Sequence, residues 1–306
     1  MSLLRNSSAR RTAGLDVNGR FVAAVEIDGG RVERTVSAEL PESFFRDGAV
    51  ADVDGLASAL EDFASSTGLP KTVRVGISNQ QIAMRMIELP VIEDQKDLEV
   101  AVRFQAAEAI AMPLDEAILD YQVTETFEGV DGPRLRVVLV AARRTMVESL
   151  LAALRKAGLK VDGVDLDAFA LVRMLAEDTP GSGYSKAFCH LGGVANLAVA
   201  SGRLCLFTRA LSTRWDIEGT ASDLASEIRL SMDSYTSTPG SLPVTEVVLS
   251  GPGADDDTLV EGLESQLGLL TTVAPALGAL DPAAIPAGED ASRYTVAAGL
   301  ALGAAA

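Results

Sequence analysis

Two stretches of this chain share one pattern. Residues 14–39 read GLDVNGRFVAAVEIDGGRVERTVSAE, and residues 187–212 read AFCHLGGVANLAVASGRLCLFTRALS. Each is a short apolar strand, a Gly-containing turn, a second strand, a second Gly turn and a third strand. The second turns, Gly29-Gly30-Arg31 and Ser201-Gly202-Arg203, carry the residues that reverse a chain between apolar runs. Each copy predicts a three-stranded meander, with helical periodicity further on. Two related α/β halves with a cleft between them are the expected result.

The periodicity between the copies places the helices. Leu98, Ala101, Val102, Ala106, Ala109 and Ile110 make one apolar stripe, stopped near Pro113. The charge run Glu93–Asp97 reads as its solvated start. Thr145 and Glu148 predict a capping box, with Val147, Leu150, Leu151 and Leu154 on one face behind it and Gly158 at its end. Further helices are expected from about Thr220 to Tyr235 and from about Asp256 to Leu267. Strands are expected at 72–78, 134–142, 159–165 and 245–250. The last, TEVVLSG, is continuously apolar, as in a strand buried on both faces. Ile118 to Val123 alternates like a half-buried edge strand, which offers a partner peptide a place to pair. Residues 279–292 carry two prolines and read as a loop. The resulting division is a disordered tail (1–12), a first half (13–75 and 144–182), an inserted subdomain (76–143) and a second half (183–306).

Composition excludes several functions. The chain has 306 residues, with 26 Lys+Arg against 43 Asp+Glu and a net charge of −17. That charge repels nucleic acid and anionic membrane surfaces. A single histidine, His190, rules out multi-His metal centres and disfavours a Ser-His-Asp hydrolase. Two cysteines, Cys189 and Cys205, indicate no disulfide framework and read as small buried hydrophobes. No apolar run reaches the roughly 20 residues of a membrane span. The N-terminal stretch, with Arg5, Arg10 and Arg11, has no apolar segment behind it to make a signal peptide. The expected location is cytoplasmic.

Four turns carry candidate chemistry. Asp16-Val17-Asn18-Gly19 ends a buried strand with a carboxylate, a place to hold hydrated Mg²⁺ beside phosphate; the competing reading is an ordinary Asn-Gly hairpin tip. His190-Leu191-Gly192-Gly193 is its counterpart in the second copy, where paired glycines allow close backbone approach. Ser250-Gly251-Pro252-Gly253 lies between a buried strand and a helix, where ligands of open α/β sheets bind. Asp165 and Asp167 precede a helix: one orients a water for phosphoryl transfer, or one is simply its N-cap.

Taken in order, these features resemble the actin-like ATPase superfamily, with two related α/β halves around a nucleotide cleft. Within it the chain is similar to the PilM family of type IV pilus assembly. The matching stretches are GLDVNGRFVAAVEI (14–27), RFQAAEAIAMPLDEAILDYQV (103–123), VVLVAARRTMVESLLAALRKAGLKVDGVDLDAFALVRML (137–175), EIRLSMDSY (227–235), VVLSGPGADD (247–256) and YTVAAGLALG (294–303). The inserted subdomain resembles that of the cell-division protein FtsA.

The resemblance implies ATP and Mg²⁺ as ligands. It puts nucleotide contacts on Asn18, Gly19, Arg20, Gly192, Gly193, Asn196, Glu227, Gly251 and Gly253. It puts catalytic roles on Asp16 and Asp167, and a water-mediated Mg²⁺ on Asp16. As partners it implies the cytoplasmic peptide of a PilN-like membrane protein, in a groove between the first-half core and the inserted subdomain, and other pilus inner-membrane components. The chain would sit at the inner face of the membrane through those partners, and a homo-oligomer stays open. It departs from the family at the phosphates. Ala23 stands where the family has Lys, His190 where it has Asp, Ala195 and Asn196 where it has Thr, and Asp167 where it has Glu. Pro252 also removes a backbone donor from the third turn. The expectation is a docking scaffold with weak or absent ATP hydrolysis. The alternatives are an active or polymerising actin-like ATPase, a type II secretion-like scaffold, or a small-molecule kinase with Asp167 as base.

Overall fold

The computed structural model describes residues 13–305 apart from 180, 216–219, 279, 282–284 and 287. The expected tail, 1–12, lies outside the described residues. The strands β1 (Ala13–Val17), β2 (Phe21–Asp28) and β3 (Arg31–Glu39) form the first meander. A small hairpin, β4 (Phe45–Arg46) and β5 (Ala49–Val50), leads to α1 (Val53–Thr67) and then to β6 (Thr72–Ile77). The inserted subdomain is β7 (Ile82–Pro90), α2 (Gln95–Ala109), β8 (Ala117–Gly129) and β9 (Gly132–Arg143). The chain returns to the first half with α3 (Arg144–Lys156), β10 (Lys160–Leu166) and α4 (Asp167–Leu175). The second meander is β11 (Ser185–His190), β12 (Asn196–Ser201) and β13 (Leu204–Ala210). It is followed by α5 (Ala221–Thr236), β14 (Val244–Ser250), α6 (Asp257–Leu267), β15 (Leu270–Val273) and α7 (Thr295–Ala305).

The two main sheets have the same topology. The first runs β3-β2-β1-β6-β10 and the second β13-β12-β11-β14-β15. In each, the antiparallel meander is extended by two parallel strands. The first strand of each meander is thus central and buried on both faces, which is why Leu15 and Cys189 are fully enclosed. The inserted sheet is smaller and runs β7-β9-β8. Both β7 and β8 are edges, in agreement with the edge reading of Ile118–Val123.

Packing explains where the helices sit. α1 buries Leu56, Leu60 and Phe63, and α3 buries Val147, Leu150 and Leu154 in the same core. Each such side chain contributes about 1.5–3 kcal/mol on burial. The expected capping box at Thr145 does not form. The N-cap of α3 is Arg143, without a side-chain cap bond, and Thr145 falls inside the first turn. The β9 strand runs straight into the helix and leaves no room for a capping turn. Gly158 does close α3, with a φ of +74°.

The C-terminal helix is placed differently from the expected division at 183–306. α7 packs on β1, β2, β6 and α4, in the first half. Two glycines make this possible. A Cβ on Gly14 would lie 1.9 Å from the Ala297 carbonyl oxygen, and one on Gly299 would lie 2.1 Å from that of Ala170. The helix is seated backbone to backbone. Among the described residues no helix is long and apolar enough to cross a membrane.

Candidate functional site

The tips of the two meanders meet. Asp16 is near the end of β1, with Asn18 Nδ2 donating to its Oδ2 at 3.0 Å. The Asn18 Oδ1 accepts from the backbone N–H of Arg20 and Phe21 at 3.3 and 3.4 Å, so Asn18 builds the turn itself. Gly19 supplies its positive φ of +91°. On the other side His190 ends β11, and its Nδ1 lies 3.1 Å from Ser250 Oγ. The following Gly193 rests directly on the first turn: a Cβ there would lie 1.9 Å from the Asn18 carbonyl oxygen.

Behind the first turn lies a carboxylate group. Asp167 is the first residue of α4 and its Oδ1 is buried without a hydrogen-bond partner. Burial raises its pKa well above the ordinary value, and the charges of Asp16 and Asp165 add to the rise. Burial likewise pushes Asp16 up to about 7, against the opposing bond from Asn18. Asp165 is different. Its Oδ2 accepts from Arg173 at 3.0 Å and lies 3.9 Å from Arg74, so it is a buried structural ion pair. The cap reading of this pair also fails, because the N-cap is Leu166 and no side chain caps the helix. Asp165 instead accepts its own neighbour's N–H, that of Leu166.

The remaining expected residues are engaged by the protein. Asn196 donates to Ser78 Oγ at 2.7 Å and accepts from Thr208 at 3.0 Å. Glu227 accepts from the backbone N–H groups of Ser212 and Thr213 and from Ser212 Oγ, each at 2.8 Å. Burial would raise the Glu227 carboxyl, but those bonds outweigh it and hold it below the usual range. Gly251 has a φ of +89° and passes close to Leu191 and His190. Gly253 faces the ring of Trp215, a residue the sequence reading did not single out. The Trp215 Nε1 donates to the Gly192 carbonyl at 2.6 Å, and Arg20 lies over the ring at 5.6 Å. Its one readable signal was being the single Trp of the chain.

As arranged, these residues do not fit a Mg²⁺-nucleotide. The two turns touch at Gly193 and Asn18, which leaves no space between them there. The second turn offers a neutral imidazole: burial lowers the His190 pKa to about 4, and its Nε2 has no partner. Among the described residues no group of three His, Cys, Asp or Glu side chains could hold a metal. An open recess of about 410 Å³ beside Gly251 is rimmed by Asp255, Glu289 and Asp290, the wrong charge for phosphate. Cys189 and Cys205 are buried thiols pushed up to about 12, inert as expected.

A larger groove, about 1450 Å³, lies elsewhere. One wall is the outer edge of β7, and the other is the outer edge of β13 with α5. It opens at Gln80 and Ile82, where the inserted subdomain leaves the first half. Its far wall is thus the second half, whereas the resemblance implied the first-half core. The junction with the first half is bridged instead, by Arg144 of α3, which donates to the Ala117 carbonyl.

Two halves of like topology meeting at paired hairpin tips define the actin-like ATPase fold. The chain belongs to the family described as type IV pilus assembly protein PilM, whose sequence model matches residues 14–209. Over its length it is similar to a solved PilM–PilN type IV pilus biogenesis complex, at 22% identity and a TM-score of 0.79, covering 97% of this chain and 99% of that one. The cytoplasmic domain of EpsL, an inner-membrane component of the Vibrio cholerae type II secretion system, is similar at 13% identity and 0.51, covering 96% and 95%. MreB5 of Spiroplasma citri, solved with ADP bound, is similar at 10% and 0.53, covering 96% and 95%. These likenesses establish the fold.

Proposed function

We propose that this chain works in pilus assembly as a docking platform for an extended cytoplasmic peptide of a PilN-like membrane partner. It would be held at the inner face of the membrane through that partner. Family membership and the likeness to a PilM–PilN complex support the reading. The observation that carries it is the groove between β7 and β13. Two strand edges border it, and an extended peptide pairs with such an edge through its main chain. The β7 wall offers Met86 and the β13 wall Leu206 and Phe207. Apolar pockets beside a free edge give both affinity and side-chain selectivity. Arg85, Arg136, Arg203 and Arg209 line the groove together with Glu88, Glu125, Asp178 and Glu227, so its rim carries both signs of charge.

The test is binding of a synthetic peptide carrying the partner's cytoplasmic N-terminus, followed by fluorescence anisotropy. Met86→Arg and Leu206→Arg are expected to weaken binding about tenfold or more, equivalent to about 1.4 kcal/mol. Val100→Asp with Phe104→Asp, on the outer face of α2, serves as the comparison, since both side chains stand exposed. Loss of binding in the α2 variant with none in the groove variants would move the docking site to α2.

A further inference from the structure

We propose that the indole of Trp215 stands in the place of a ligand in the cleft and ties the two halves together, in a cleft whose turns themselves do not fit a nucleotide. Three contacts from three elements converge on the ring. The Gly192 carbonyl of the second turn accepts from Nε1 at 2.6 Å. Gly253 of the strand-end turn lies flat against the ring: a Cβ there would be 2.3 Å from an indole carbon. Arg20 of the first turn covers the ring at 5.6 Å. The indole is thus a flat aromatic with one edge donor, packed on a Gly turn under a cation.

The backbone carrying the ring is contacted from both sides of the cleft and held chiefly from the second half. Glu227 holds Ser212 and Thr213, in the second half. Arg214 pairs at 3.3 Å with Glu42, in the first half. The Thr220 hydroxyl donates to the Trp215 carbonyl at 3.4 Å. The contact of Gly193 with Asn18 closes the space between the turns from below. The positions of the halves are then set by the protein itself. This inference concerns the cleft and does not depend on where the peptide docks.

The chain contains one Trp, so its emission reports this site alone. Mg²⁺-ATP and Mg²⁺-ADP are titrated into the full chain to millimolar levels, with fluorescence and calorimetry read together. The expected result is no saturable change in emission and no binding heat. Trp215→Ala is expected to lower the melting temperature and to bind no nucleotide either, while Trp215→Phe, which keeps a ring on Gly253, recovers part of the loss. A saturable, Mg²⁺-dependent emission shift in the unaltered chain overturns the proposal. So does a Trp215→Ala chain that binds nucleotide about tenfold tighter than the unaltered one, which would make the indole a gate over a working site. The wild-type titration decides even where the Ala variant does not fold.

Discussion

The two hairpin tips occupy the same place in two copies of one topology, and their chemistry is opposite. Asp16 and His190 each lie at the end of a central strand, with 2% and 4% of their surface exposed. Each has one side-chain neighbour, Asn18 or Ser250, at about 3 Å. Burial acts against charge in both. It raises the acid to about 7 and lowers the base to about 4. The repeat therefore reproduces backbone geometry and not ligand chemistry. A site needing two carboxylates across the cleft has one side of the pair, and the other side is an uncharged ring.

The largest expected effect tests whether the tips touch in solution. Gly193→Ala puts a methyl 1.9 Å from a backbone carbonyl that cannot move without parting the turns. The expected cost is about 3 kcal/mol, at the upper end of overpacking penalties. Gly30→Ala is the control. It has a φ of +80° with nothing within 4 Å, so it pays only backbone strain of about 1–2 kcal/mol. Chemical denaturation measures both. Equal losses would mean that the tips stand apart.

The next two effects set the tips against each other by pH. The folded Asp16 keeps its proton up to about pH 7, while the unfolded group loses it near 3.8. Between those values the folded state binds more protons, so stability falls as pH rises. Asp16→Asn removes this slope. It is expected to be more stable than the unaltered chain at pH 8, with the difference vanishing toward pH 4. His190 gives the reverse. Its folded pKa of about 4 lies below the ordinary 6.5, so its contribution is complete above 6.5 and is lost as pH falls toward 4. His190→Gln is expected to flatten that acid limb by on the order of 1 kcal/mol at pH 5. Parallel slopes in the two variants would break the comparison.

Much of the fold was legible because it rests on local signals. The meanders were readable from strand–Gly–strand spacing, and α2 and α5 from stripes whose inward residues, such as Leu98 and Val102 or Leu224, Ile228 and Met232, are buried. α1 was not singled out, although Asp52 caps it by accepting from Gly55 N–H and Gly68 ends it at a φ of +66°. α7 was illegible for a different reason. It is apolar all round, without a stripe, and its partners Gly14 and Ala170 are far away in sequence. The site was legible as positions and illegible as contacts. Asp16, Asn18, His190 and Gly193 could be named from the turns they occupy. That Gly193 presses on Asn18, or that Glu227 holds Ser212, depends on how the halves close, and no local pattern encodes that distance.

The smallest effect concerns what holds the two tips together. Arg214 and Glu42 join the halves at 3.3 Å, yet their side chains are 53% and 62% exposed. Such a pair gains little in water and is screened by salt. Arg214→Ala is expected to cost about 0.3 kcal/mol, fading as salt is added. Its neighbour Trp215 sits on Gly253 and donates to Gly192, contacts that salt does not weaken. A thermal shift series in rising salt therefore separates two adjacent residues. If the halves are joined by packing and backbone contact, Arg214→Ala and the unaltered chain converge at high salt while Trp215→Ala stays apart. A loss at Arg214 as large as that at Trp215 would mean that charge across the cleft, and not the close fit of the tips, sets how the halves are held.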